Sequence, residues 1–172
     1  MSLSTANRTG AKKPVTINLL MGWLLFDIMN ETFLRGRTLQ DRTNHKEVAS
    51  MFASEDAENQ QKILRSIKKS FGEIKAELSD YLSEVAHTSS NKNIDANTNL
   101  EINLEMPSNF NDAVAQSVDD ACHAYIVNSA VAEWYVVTNA NEAKTYFDLA
   151  ANALELLRFT SSKRARPQVP ED

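Results

Sequence analysis

Residues 107–167 read PSNFNDAVAQSVDDACHAYIVNSAVAEWYVVTNANEAKTYFDLAANALELLRFTSSKRARP, and their spacing decides the fold. After Pro107, Ser108 and Asn109 offer side-chain oxygens to cap a helix. Val114, Val118, Ala121, Tyr125, Ile126, Ala130, Trp134 and Val137 then recur with helical phase. Thr138-Asn139-Ala140-Asn141 interrupts the period with residues that favour turns and caps. From Glu142 onward, Ala143, Phe147, Ala150, Leu154 and Leu157 return in alternating steps of four and three. Two apolar faces joined by a short link predict an αα-hairpin. The spacing describes packing and carries no catalytic pattern.

Upstream, Leu100, Ile102, Leu104 and Met106 alternate with Glu101, Asn103 and Glu105, the period of a strand with one buried face. A lone strand is unstable in water, and no partner strand is evident in the chain. It either lies on the helices or pairs with a strand from another subunit or protein, and the second is expected. Thr88 to Asn99, rich in Ser, Thr, Asn and Lys, reads as a loop. A helix is expected from Ser54, where Ser54, Glu55, Asp56 and Glu58 suit a cap and first turn. Leu64, Ile67, Phe71, Ile74, Leu78, Tyr81 and Val85 give it a narrow seam, more in keeping with a bundle than with a coiled coil of minimal length.

Val15 to Arg35 is apolar on nearly every side and reads as a helix wrapped by neighbours or sealed between subunits. Following a basic start, it has the outline of a signal peptide or anchor. However, its uncharged run is shorter than the ~20 residues of a bilayer span, Asp27 and Glu31 interrupt it, and no small-x-small cleavage site follows. No membrane association is expected. Gly36 is expected to end this helix, with Arg35, Arg37, Asp41 and Arg42 in a polar connection and a short helix from His45 to Ala53. Residues 1–14, with Arg8, Lys12 and Lys13 among Ser, Thr and Gly, read as an extended arm. Residues 161–172 follow Arg158 as a basic tail, with Lys163, Arg164 and Arg166 before Pro167 and Pro170.

With 172 residues, 42% apolar, and only four glycines and four prolines, the chain suits one helical domain with a core of its own. Cys122 is the only cysteine, so no internal disulfide forms and a Cys-rich zinc module is excluded. A net charge of -5 argues against a surface that clings everywhere to nucleic acid, while leaving room for a local basic segment.

Two i, i+3 pairs, Glu84 with His87 and Asp120 with His123, match the Glu/Asp-x-x-His steps that di-iron bundles place on facing helices. Such a site needs two further inward carboxylates, and His87 falls where the helix gives way to the loop, so solvated histidines are the simpler reading. Cys122 and His123 diverge by about 100° on a helix and cannot form a thiolate and its base. No phosphate loop, zinc pattern or nucleophile elbow occurs, and neither catalytic residue nor metal nor cofactor is expected. The basic tail is either solvated, bound to nucleic acid, or docked in an acidic groove of a partner. Trp134 and Tyr135, beside Val136 and Val137, offer a wide apolar surface that is expected to pack in the core rather than form a partner groove.

Ser108-Asn109-Phe110-Asn111-Asp112, Ala124-Tyr125-Ile126-Val127-Asn128-Ser129-Ala130, Glu133-Trp134-Tyr135, Thr138-Asn139 with Glu142-Ala143, and Arg164-Ala165-Arg166-Pro167 resemble a group of virion proteins from tailed bacteriophages and prophages of Bacteroides, including crAss-like phages. Asn30-Glu31-Thr32-Phe33-Leu34-Arg35-Gly36-Arg37 and Asn44-His45-Lys46 are similar to the same group. The resemblance implies a head-to-tail connector: a ring, a dodecamer by that resemblance, lying beneath the portal and continuing the channel through which DNA is ejected. It implies portal protein and other tail or ring proteins as partners, transient contact with phage DNA, and a virion location after assembly in the host cytoplasm. Acidic Asp112, Asp119, Asp120, Glu133, Asp148 and Glu155 would face the lumen and keep DNA sliding.

The expectation is therefore an all-α helical bundle with a carboxy-terminal αα-hairpin, one short β segment within an 88–107 insert, and extended arms flanking a 15–160 domain. Contacts to partners are expected from Arg158, Lys163, Arg164, Arg166, Arg8, Lys12, Lys13, Leu100, Ile102 and Leu104. The alternatives are a metal-dependent bundle enzyme using Glu84, His87, Asp120 and His123, and a small cytosolic interaction module.

Overall fold

The computed structural model describes residues 11–40, 43–53, 57–85 and 94–166. Its elements in chain order are β1 (Lys13–Leu19), α1 (Met21–Leu39), α2 (His45–Ala49), α3 (Ala57–Glu77), β2 (Leu100–Met106), α4 (Ala115–Thr138) and α5 (Ala140–Ser161). Short 3-10 turns occupy Ser79–Tyr81 and Asp112–Val114. The molecule is a mostly helical bundle with one two-stranded antiparallel sheet. No described helix is long and apolar enough to cross a membrane.

The central element is α4, which packs on α5, α3, α1 and β1 and is accordingly buried on most of its surface. Its apolar residues exceed one stripe because it has neighbours on several sides. Asn139 alone separates it from α5. In extended conformation (φ -157°, ψ 95°), this residue donates its N–H to the Tyr135 carbonyl at 2.8 Å, ending α4, and accepts from the Glu142 N–H at 3.3 Å, starting α5. Along α5 the inner positions are Ala143, Tyr146, Ala150, Ala153 and Leu157. Phe147, expected inward, stands half-exposed while Tyr146 takes the core.

The partner expected for β2 outside the chain is instead β1, within it. Val15 faces Leu104, Ile17 faces Ile102 and Leu19 faces Leu100, while Thr16 faces Asn103 and donates to its side-chain oxygen at 2.9 Å. Apolar pairs thus meet on one side and polar pairs on the other, the arrangement that stabilises a two-stranded ribbon laid on helices. Leu100, Ile102 and Leu104 are core residues and offer no surface to a partner. The helix expected over Val15–Arg35 is correspondingly split into β1 and α1. Leu20 between them is extended (φ -77°, ψ 117°), and the apolar run Leu19-Leu20-Met21 conceals the change of period.

Gly36 does not end α1; it lies inside it, where the ring of Phe52 occupies the space a Cβ would fill. The cap expected at Ser54–Asp56 lies outside the described residues, and the described helix runs from Ala57. It also ends sooner, at Glu77. Leu78 remains buried, but Leu82 forms a bridge with Leu104 and the Ser83 N–H donates to the Asn103 carbonyl at 2.9 Å, so the seam continues as an extended strap against β2. Val85 consequently stands 91% exposed. The remaining seam packs on α4, the bundle arrangement. The helix expected over His45 to Ala53 spans His45–Ala49.

Both presumed arms are attached where they are described. Lys13 and Pro14 belong to β1. Past α5, the Asn111 N–H donates to the Lys163 carbonyl at 3.2 Å and the Ala165 N–H to the Asn109 carbonyl at 2.7 Å, fastening residues 163–165 beside Phe110. Residues 1–10 with Arg8, residues 86–93 with His87, and Pro167 to Asp172 lie outside the described residues.

Candidate functional site

The cations assigned to partners have mostly found partners inside the chain. Lys12 lies 3.0 Å from the Glu105 carboxylate. Lys13 donates to Asp112 at 2.7 Å and to the Phe110 carbonyl at 3.0 Å, closing β1 against the approach to α4. Arg158 grips Glu77 with a two-pronged contact at 2.6 and 2.8 Å, and its guanidinium holds the Glu77 carboxyl below the usual value. Arg164 donates to the carbonyls of Ser161 and Lys163 at 3.1 and 3.2 Å, and the Lys163 ammonium lies 3.4 Å from the Phe159 ring centroid. Arg166 is exposed.

The acids proposed to face a channel are similarly unequal. Glu133 accepts from Ser66 and Lys69, both at 2.5 Å. Burial raises its carboxyl, but the bonds from Lys69 and Ser66 outweigh it, leaving the group below its ordinary value. Asp112 is held by Lys13. Asp119 goes the other way, raised by burial and by neighbouring Asp120, with Oδ1 buried and without a hydrogen bond.

Among the described residues, the candidate metal-site side chains are not brought together. Glu84 lies in a turn beyond the Ser79–Tyr81 3-10 turn, not on a helix, so it cannot present a helical Glu-x-x-His step. His123 meets Asp27 at 2.7 Å, and Asp120 accepts from Gln116 at 3.0 Å. Among the described residues, no group of three or more His, Cys, Asp or Glu side chains is placed to hold a metal ion. Cys122 is buried, and burial followed by the nearby Asp119 charge pushes its thiol up to about 12, so it stays protonated and unreactive at neutral pH.

The surface instead displays large apolar side chains in stripes on α1 and α5, and at Val136 and Val137 near the end of α4, where Val137, expected on the inner face, is 79% exposed. Along α1, Trp23 and Phe26 are 68% and 67% exposed, followed by half-exposed Phe33 and Leu34. Beside them a groove of about 660 Å³ is lined by Leu25, Phe26, Met29, Phe33 and Ala53. Along α5, Leu149, Leu156 and Phe159 share one exposed flank, while half-exposed Phe147, about 160° from Leu149 around the helix, lies off it. Spacings 23, 26, 33 and 149, 156, 159 are helical, so each set forms a stripe. The sequence alone concealed the α1 stripe because Val15–Arg35 is apolar all round; only the packing of α1 separates inward Leu24, Leu25 and Ile28 from outward Trp23 and Phe26.

Trp134 and Tyr135 lie in the core as expected. Trp134 donates to the Met51 carbonyl at 2.9 Å and Tyr135 to the Thr32 carbonyl at 3.2 Å. Glu142 receives a two-pronged contact from Arg35 at 2.5 and 2.9 Å, joining α5 to α1. These residues hold the scaffold behind the exposed stripes. The chain matches no protein-family model, no curated protein and no solved structure.

Proposed function

We propose that this protein is a non-enzymatic structural subunit of a tailed-phage virion, a connector or ring component that joins portal to tail around the DNA channel. The observation that carries the proposal is the pair of exposed apolar stripes on separate helices of one core. Unlike patches on separate helices suit head-to-tail contacts between copies, and such contacts close into rings when the rotation permits. In this reading α4 and α5 form an αα-hairpin that serves as a stiff spine. The α1 stripe of one copy meets the α5 stripe of the next, and exposed Arg166 contacts the portal.

The resemblance to virion proteins of Bacteroides phages supports the same assignment, because the residues that carry it, including Tyr125, Glu133, Trp134, Tyr135 and Glu142, are those that fix the scaffold. Mass measurement of the protein alone and mixed with the portal protein tests it. A closed oligomer, or one that forms on the portal, is expected. A monomer indifferent to portal at all concentrations overturns it and favours the small interaction module, which the exposed stripe of α1 would equally serve.

A further inference from the structure

The solvent side of α3 has a composition unlike the rest of this acidic chain. At about 100° per residue, Lys62, Arg65, Lys68, Lys69 and Lys75 fall within about 140° of arc, opposite the buried Ile63, Leu64, Ile67 and Ile74. Lys62, Arg65, Lys68 and Lys69 are exposed and Lys75 is half-buried. Of the acids on α3, only Glu58 in the first turn shares that arc. Glu73 accepts from the Tyr125 hydroxyl at 2.6 Å, and Glu77 is gripped by Arg158, so both are engaged toward α4 and α5. Lys69 is bound by Glu133, while Lys62 and Lys75 lie over the rings of Trp134 and Phe71 at 4.8 and 5.4 Å. The cations span about 20 Å of helix axis at about 1.5 Å per residue.

We infer that this face of α3 binds the phosphate backbone of nucleic acid. Charge complementarity requires a polyanion, and what the face lacks selects among polyanions. A protein partner needs a desolvated apolar or aromatic anchor at the centre of its interface. None of the large exposed apolar side chains lies on α3; they lie on α1, α4, α5 and at Leu20 and Val85. Phosphate contacts need no such anchor, since their free energy comes from neutralised charge and released counterions. Backbone phosphates repeat identically at every base pair, so contacts made to them are independent of sequence. This goes beyond the ring assignment and does not depend on it.

The test is fluorescence anisotropy of a labelled random-sequence duplex of about 30 base pairs titrated with the full chain between about 50 and 200 mM salt. The expected slope of log K against log salt is near -3, for about three to four phosphate contacts, so affinity falls about 50- to 100-fold across that range. Arg65→Glu with Lys68→Glu should abolish measurable binding, and the milder Arg65→Gln with Lys68→Gln should reduce the slope by about 2. Far-ultraviolet circular dichroism checks that both variants remain folded. Lys163→Gln with Arg166→Gln should leave binding intact. Absence of binding at the lowest salt, an unchanged slope in the glutamine variant, or loss of binding in the tail variant overturns the inference. So does preferential binding to phosphatidylserine vesicles. Oligomer mass measured on the same samples separates this outcome from the fate of the ring.

Discussion

Gly36 and Gly72 both stand inside helices, yet replacing each by alanine has opposite consequences. At Gly72, on the exposed side of α3, nothing lies within 4 Å of an added Cβ. Gly72→Ala therefore gains only the backbone term, about 0.5–1 kcal/mol, and thermal melting should rise by about 1–4 °C. At Gly36 the added methyl group must displace Phe52, whose ring stacks on Phe33 with centroids 5.4 Å apart. Gly36→Ala should lower the melting temperature despite the better helix former. Reading Gly36 as a helix stop followed general chemistry correctly; the reason for this glycine is a ring from a distant segment, which no local pattern discloses. The Arg35–Glu142 pair has a different legibility. Both residues are visible in the sequence, but their 107-residue separation is not. Since Glu142 is buried while the Arg35 side chain is 42% exposed, Glu142→Ala should cost about 2 kcal/mol, below the range for a wholly buried pair. A double-mutant cycle with Arg35→Ala measures the coupling.

Between elements, the joints are polar groups at the edge of an apolar core. Glu133 links α4 to α3, Glu77 links α3 to α5, and Glu105 links β2 to Lys12 and Ser83. All three carboxyls are held below the ordinary 4.5, so their stabilisation is present above that value and is lost as the pH falls through the lower folded values. Denaturant midpoints should fall when the pH is taken below 4.5. Tyrosine hydroxyls make the complementary joints: Tyr125 donates to Glu73, Tyr135 to the Thr32 carbonyl and Tyr146 to Glu31. Burial raises all three phenols, Tyr125 and Tyr135 to about 12 and Tyr146 further. Their raised values favour the folded state below pH 10, and that stability declines above it. At pH 11 the folded chain should show less tyrosinate absorbance than its four tyrosines give when unfolded in denaturant. Helix periods made α4 and α5 legible, and alternation made β2 legible. Strand β1 was masked because Val15, Ile17 and Leu19 run directly into the apolar helix after them. The end of α3 was masked because Leu78 stays buried after the helical backbone has stopped.

For the whole molecule, removal of the stripe on α1 is what would separate stability from the proposed assembly. Trp23→Ser with Phe26→Ser deletes two mostly exposed side chains, so the melting temperature should change little. If the chain assembles through this stripe as proposed, sedimentation should nevertheless shift from an oligomer to a monomer. An unchanged sedimentation profile would remove α1 from the interface. Ile102→Ala is the converse case: it empties a fully buried site under the β1–β2 ribbon and should cost about 2–5 kcal/mol, with loss of fold preceding any loss of assembly.

The antiparallel pairing of Lys13–Leu19 with Leu100–Met106 also orders events in time. During synthesis the first of these segments leaves the ribosome roughly 80–90 residues before the second, an interval of roughly 4–18 s at about 5–20 residues per second. The chain beginning at Ala115 emerges later still, but α4 and α5 need only each other's neighbouring turns and form quickly once translated. Refolding from denaturant should therefore show early helical signal, with closure of the ribbon as the slower step. Until that closure, the hydrogen-bonding edge of the first strand is open to the same strand's partner in another nascent chain, so high translation density favours exchanged dimers as the characteristic misfolded product.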